Sequence, residues 1–293
     1  MRVSRISFRA MGTSVSLTGP TEPIAFGVAG ARVRRVFRSV EARFSRFRAD
    51  SELAVVNGAA GAWIDVSPPF AALLCLALDG AARTEGLFDP TILPALSAAG
   101  YDRDLDVVRR GALPPRPPAP AARWREVEVR SGAVRLPPGA ALDFGGLAKG
   151  VAVDLAATAA AGRIPWAMVE AGGDLRVAGR PPADGLPVRL EDPLDATAEI
   201  LRLVLDAGAL ATTSVTRRAW GPGLHHVIDP RTGRPAATGV LQATVWAATC
   251  AEAEVWAKWA LLTGPSAVDA VPGVLVTEDG RVRVSVPRSA DAA

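Results

Sequence analysis

Two apolar periodicities share this chain without alternating regularly, and that limits its fold more than any other feature. Residues 3–18 alternate apolar and polar and read as a strand bent at Met11-Gly12-Thr13. A helix follows over about 27–45, where Arg32, Arg34, Arg35 and Arg38 interleave with Val33, Val36, Phe37 and Val40 as an amphipathic pattern with a solvated basic face. Ser67-Pro68-Pro69 caps a second helix that runs to about Glu85 and stops at Gly86. Strands are predicted at 124–130 and 133–136 around Ser131-Gly132. A glycine-rich turn then opens a helix at 148–161. Further strands are predicted at 167–171, 174–178, 187–191 and 200–206. A strand at 240–248 precedes a helix at 250–263 closed by Gly264-Pro265, and Asp279-Gly280 marks a terminal hairpin. Helices and strands in this irregular order predict an α+β fold, with no internal repeat.

The 293 residues, 49% hydrophobic and 22% charged, suffice for a full core and are read as one domain over 1–293. The Pro- and Ala-rich stretch 111–123 is expected to be a stiff internal loop. No apolar run is long enough for a membrane span, and Met1–Arg5 lead straight into a strand pattern, so no anchor or secretory signal is expected and the protein is placed in the cytoplasm. Cys75 and Cys250 form no CxxC and are expected to fill apolar space. A net charge of +3, spread along the chain, gives no reason to expect nucleic acid as a partner. The kind of cation is more telling. Of 33 basic residues only Lys149 and Lys258 are lysine. Where composition drifts to arginine, a surviving lysine marks a place that needs a compact ammonium. The only histidines, His225 and His226, are adjacent.

Four loop motifs could carry chemistry. Leu142-Asp143-Phe144-Gly145-Gly146-Leu147-Ala148-Lys149-Gly150, trailed by Asp154, puts a glycine pair and a lysine at a helix start, where backbone N–H groups favour phosphate; a packed turn with a surface lysine would satisfy the same pattern. Its spacing is not that of a P-loop. Glu170-Ala171-Gly172-Gly173-Asp174 is a tight turn, near a ligand or simply a hairpin. His225-His226-Val227-Ile228-Asp229-Pro230-Arg231-Thr232-Gly233 is a strand entering a rigid turn, from which the two imidazoles point to opposite faces and cannot chelate one metal. Leu87-Phe88-Asp89-Pro90-Thr91 holds Asp89 extended to accept hydrogen bonds from a ligand or to cap a turn.

In this order, with Met11-Gly12-Thr13 and with Asp50-Ser51-Glu52-Leu53 reaching Asn57, the motifs resemble the FAD:protein FMN transferase family, the ApbE-like flavin transferases. The resemblance runs from about residue 8 to residue 264. It implies a two-lobed α+β domain with mostly antiparallel sheets and an FAD cleft. It implies cleavage of the FAD pyrophosphate, transfer of FMN to a threonine of a target flavoprotein, and release of AMP. It further implies that Met11, Phe47, Asn57, Leu87, Phe88, Asp89, Asp143, Lys149, Gly172, Gly173, Asp174, Thr213, Ser214, His226 and Ile228 line the cofactor. Lys149, Asp154, His226 and Lys258 are the expected catalytic groups. A carboxylate or histidine can take the proton of the acceptor threonine, and Asp154 and His226 are both candidates.

One departure stands out. The family's magnesium ligands on the late helix are an aspartate and a threonine four residues on, aided by a glycine carbonyl, here Gly146. This chain has Glu254 and Lys258 at those positions. Glutamate can ligate a hard cation, but a charged ammonium has no lone pair. Either Lys258 takes the place of magnesium, or the helix is rotated or the Glu254–Lys258 pair is a solvated surface bridge, and any metal lies elsewhere. A chain lacking the usual site could also be an FAD pyrophosphatase or an FAD-binding protein. Val215, where the family commonly has glycine, stiffens the Thr213-Ser214 segment.

Overall fold

The computed structural model describes residues 2–59, 61–111, 116–119 and 122–286. Part of the Pro/Ala-rich loop predicted at 111–123, residues 112–115 and 120–121, lies outside them. The chain divides into two compact units. The first comprises residues 1–41, 149–213 and 239–293; the second, 42–148 and 214–238.

An eight-stranded sheet runs through the first unit, in the order Val3–Ala10, Thr13–Pro20, Trp166–Ala171, Asp174–Gly179, Gly208–Ser214, Val240–Ala247, Gly273–Thr277, Val282–Ser285. Its recorded pairings are antiparallel, with Ala10 facing Thr13, Val15 facing Ala171, Ala171 facing Asp174 and Val240 facing Thr277. Two of its connections are two-residue turns with both residues at positive φ: Met11 (50°) with Gly12 (69°), and Gly172 (57°) with Gly173 (96°). Such turns match the twist of the strands they join. The bend expected near Met11 is thus a full hairpin reversal. Trp166, Met168, Leu175, Val177 and Leu210 form a core with Leu186, Val188 and Leu205. The last three come from the hairpin of Leu186–Glu191 with Glu199–Leu205, whose first strand buries every second residue. Helix Pro23–Phe44 buries Val33, Phe37 and Val40 and exposes Arg35 and Arg38. The guanidinium of Arg34 lies 4.3 Å from the Phe8 ring centroid, so the basic face also covers apolar surface.

The second unit holds helices Glu52–Asn57, Pro68–Arg83, Leu93–Ala98 and Leu105–Arg110 and a sheet ordered Ile64–Asp65, Ala133–Arg135, Glu128–Arg130. Phe44, Phe70 and Phe144 pack with centroids 5.6–5.9 Å apart. A second core gathers Leu96, Tyr101, Val108, Trp220 and Ile228.

Four expectations change. The strand predicted at 124–130 begins at Glu128, because Trp124–Glu126 turn as a 3₁₀ helix. Cys75 is exposed: Phe70, Leu73, Leu74 and Ala77 set the buried stripe of its helix, and Cys75 lies off it. The three six-residue helices are too short to show a 3.6-residue period and went unpredicted, although Ser51 and Asp104 cap two of them. Gly208–Ser214 also went unpredicted; its alanines and threonines give no apolar alternation. Among the described residues, no helix is long and apolar enough to cross a membrane.

Glycine positions give a direct test. A Cβ on Gly179 (φ +88°) would lie 2.3 Å from the Pro165 carbonyl oxygen, whereas one on Gly27 meets nothing within 4 Å. Gly179→Ala should lower stability by more than about 2 kcal/mol, and Gly27→Ala, inside a helix, should raise it by about 0.5–1 kcal/mol. Denaturant unfolding of the two variants checks both signs.

Candidate active site

The two lysines of the chain meet at one carboxylate. Lys149 lies in the first turn of helix Ala148–Ala161, and Lys258 in the third turn of helix Cys250–Thr263. Glu254 Oε1 is 3.2 Å from Lys149 Nζ and 3.9 Å from Lys258 Nζ, and its other oxygen accepts the Gly150 N–H at 3.1 Å. Lys149 also pairs with Asp174, which is 1% exposed. Glu254 is 3% exposed. Burial pushes its carboxyl pKa up, but the Lys149 and Lys258 ammonium groups outweigh this and hold it below the ordinary value. The expectation of a solvated surface bridge is therefore corrected: such a bridge needs water around both groups, and the side chains of Glu254 and Lys258 are 4% and 19% exposed.

The helices can come this close because of Gly150. A Cβ there would lie 2.9 Å from both the Cys250 carbonyl oxygen and Glu254 Oε2. Asp154, one turn along, makes the reciprocal contact: it accepts the N–H groups of Cys250 (2.9 Å) and Ala251 (3.0 Å) and a bond from Arg176 (2.7 Å). Each helix thus carries a carboxylate at the N-terminal end of the other, where N–H groups lack intrahelical partners. Both Asp154 oxygens are thus engaged by donors from other elements.

The Gly172-Gly173 turn sits against the first hairpin, since a Cβ on Gly172 would meet Thr13 Oγ1 at 2.5 Å. Met11 is fixed in the same unit by its N–H to Glu41 (3.0 Å). Glu170 accepts from Ser16 Oγ (2.7 Å) and Arg5 (2.8 Å), which makes it part of the sheet's side-chain network. Thr213 is buried at the end of strand Gly208–Ser214.

In the second unit the main feature is one the sequence did not announce. Arg46 packs its guanidinium 4.4 Å from the Phe47 ring and 4.3 Å from the Tyr101 ring, donates to the Tyr101 carbonyl (2.7 Å), and pairs with Asp143 (3.0 Å). Phe47 remains 46% exposed, an open aromatic face on a cationic support. One arginine among 31 gives no sequence signal; only its place next to Phe47 was noticeable.

Several residues expected on the cofactor prove to be held by the protein itself. Asn57 spends its amide on the Leu142 peptide, donating to its carbonyl (2.9 Å) and accepting its N–H (2.7 Å), and so holds the Asp143 turn. Asp143 Oδ1 accepts the Gly145 N–H (2.8 Å). Asp89 caps its own turn through Thr91 N–H (2.8 Å) and hydroxyl (2.7 Å); burial raises its pKa. Phe88 and Ile228 are buried, while Leu87 is half-buried. Ser214, in the second unit, shares a bond with the Thr216 hydroxyl (2.9 Å). The strand expected through both histidines ends at His225, and His226 lies in a bend. His225 is buried between Ala236 O (3.1 Å from Nε2) and the Val227 N–H (3.3 Å from Nδ1), which fixes a neutral ring protonated at Nε2. His226 is half-buried.

Gly146 and Glu254, the expected metal ligands, belong to the second and first units respectively. Among the described residues, no group of three His, Cys, Asp or Glu side chains is placed to hold a metal ion. At Glu254 the donor set does not suit magnesium. The ion wants about six oxygen ligands at roughly 2.1 Å, whereas this carboxylate already faces two ammonium groups and a peptide N–H.

Solved structures share this architecture. The ApbE protein of Thermotoga maritima superposes with a TM-score of 0.84 at 23% identity, covering 97% of both chains. The flavin transferase ApbE of Vibrio cholerae does so with 0.79 at 22% identity, again over 97% of both. The fold is therefore that of ApbE-type α+β proteins, with mostly antiparallel sheets. The family is settled by sequence: the ApbE family model matches residues 11–272, and the chain belongs to the ApbE family. It is similar to the FAD:protein FMN transferase of Rhodobacter capsulatus, 31% identical over 278 residues, which are 88% of this chain and 51% of the relative. The Klebsiella pneumoniae (strain 342) protein of the same name is 29% identical over 277 residues, 88% of this chain and 77% of that one. The chain thus spans about half the length of the Rhodobacter relative.

His225 carries a pH prediction. Burial lowers its pKa below the ordinary 6.5, against the opposing effect of its bond to Ala236. The unfolded chain then binds more protons than the folded one, so stability falls as pH drops below about 6.5, by up to about 1.4 kcal/mol per unit until the folded-state pKa is reached. His225→Gln should flatten that slope. Chemical denaturation between pH 7 and 5 checks it.

Proposed function

We propose that this chain is an FAD:protein FMN transferase. The threonine hydroxyl of a target flavoprotein attacks the FMN-side phosphorus of FAD. The bond from that phosphorus to the bridging oxygen breaks, AMP leaves with the oxygen, and the hydroxyl proton passes to a base. The observation that carries the reading is the convergence of Lys149 and Lys258 on Glu254, beside the N-terminus of helix Ala148–Ala161. Ammonium groups beside a helix N-terminus suit a pyrophosphate whose negative charge shifts to the departing AMP. The relatives' shared name supports the reaction, and a family match that runs through both units supports one functional domain.

Roles follow from surroundings. His226, half-buried next to its packed neighbour, is the base for the acceptor threonine. Asp154 acts by holding Arg176 and the late helix in place. The exposed face of Phe47, backed by Arg46, suits stacking of a flavin or adenine ring. Met11, Gly172, Gly173 and Thr213 supply close backbone or hydroxyl contacts to the cofactor, and Asn57, Asp89 and Asp143 keep their loops in shape.

The test is to incubate the protein with FAD and a flavoprotein carrying an acceptor threonine, then follow AMP and covalent flavin. Equal amounts of both are expected. AMP without flavinylated product would identify FAD hydrolysis, and neither product with FAD bound would identify a binder. His226→Ala should slow transfer by about 10²–10⁴-fold while FAD affinity changes little.

A further inference from the structure

We infer that Lys258 is a resident cation, a side-chain ammonium that balances Glu254 as a divalent metal would otherwise do, so that this site does not repel phosphate and binds no metal there. The inference rests on the FAD reading for its purpose and for the AMP arm of its test, but not for the Mn2+ arm.

Three observations converge. First, Glu254 is enclosed, at 3% exposure, and its contacts are cationic or N–H donors: Lys149 Nζ at 3.2 Å, Lys258 Nζ at 3.9 Å, and the Gly150 N–H at 3.1 Å. A dication bound to this carboxylate would lie within about 6 Å of two ammonium groups, a repulsion of several kcal/mol even at an effective dielectric near 20. Second, the cluster balances as it stands. Lys149 and Lys258 face Asp174 and Glu254, two charges of each sign, with Asp174 and Glu254 both nearly removed from water. Two buried carboxylates with one lysine would leave a net negative charge that phosphate could not approach; the second lysine removes it. Third, Lys258 is anchored. It lies one turn from Glu254 on the same helix, and its ammonium also donates to the Glu254 carbonyl oxygen at 3.4 Å. The adjoining faces of that helix carry Trp256 and Trp259, packed edge to face at 5.5 Å. Composition agrees: the chain writes nearly every other cation as arginine, whose planar fork is bulkier than the ammonium this spot accepts.

The test has two independent arms. Mn2+ electron paramagnetic resonance is recorded on the protein alone and with one equivalent of FAD, against FAD alone. The parent should hold no Mn2+ beyond the FAD control. Lys258→Thr with Glu254→Asp, which exchanges the ammonium for a hydroxyl and shortens the carboxylate, should gain one bound ion per chain. In the second arm, with the acceptor flavoprotein present, AMP release from FAD by the parent should differ by less than about threefold between excess EDTA and excess Mg2+, and the double variant should lose on the order of 10²-fold in EDTA and recover with Mg2+. Stoichiometric Mn2+ on the parent, or parent activity that EDTA abolishes and Mg2+ restores, overturns the inference. So does a folded double variant that gains no ion. If that variant fails to fold, the parent's own Mn2+ spectrum decides. Absence of AMP under every condition would refute the transferase reading and leave the Mn2+ arm to judge the cation.

Discussion

Two carboxylates, each capping a helix other than its own, hold the first unit's polar centre together. Glu254 accepts the Gly150 N–H at the start of one helix, and Asp154 accepts the Cys250 and Ala251 N–H groups at the start of the other. Neither carboxylate could be buried without such partners, and neither helix could end its N-terminus in the interior without an acceptor. The arrangement demands a glycine at the crossing, which Gly150 supplies. Once the crossing is set, the positions of Lys149 and Lys258 follow from their places on the two helices. The ion cluster is a product of helix packing as much as of charge.

The second unit solves a related problem differently. Its buried cation is the Arg46 guanidinium, held by one carboxylate, one carbonyl and two aromatic rings. A delocalised, weakly hydrated ion can sit between ring faces where an ammonium could not. The one buried ion site uses arginine and the other lysine, and in each the surroundings fit the shape of the ion.

How much of this could be read from sequence depended on the range of the signal. Helices of 14 residues, such as Ala148–Ala161 and Cys250–Thr263, announced themselves through composition and flanking glycines, and their observed limits match the expected ones. The two-residue turn at Gly172-Gly173 was legible as a tight turn, whereas the one at Met11-Gly12 read only as a bend within one strand. Short helices carried too few turns to show a period. The lysine cluster was half legible: scarcity singled out Lys149 and Lys258, and the i,i+4 spacing paired Lys258 with Glu254. That Lys149 would reach the same carboxylate across 105 positions, and that Arg46 would find Asp143, were consequences of tertiary packing. Asn57 and Asp89 were legible as polar loop residues, but not the loop partners they bond, because a side chain that stabilises a loop and one that binds a ligand use the same polar groups.

The rarity of lysine has a consequence for how the protein meets its surroundings. Both ammonium groups are largely shielded, with side chains 10% and 19% exposed, so the outward positive charge resides in guanidinium groups. Guanidinium does not lose its proton at any physiological pH, and it is inert to the acylating and carbonyl reagents that modify amines. Amine-directed labelling of the side chains would report on the interior rather than on the outer face. The positive part of the protein's surface field is in that sense fixed.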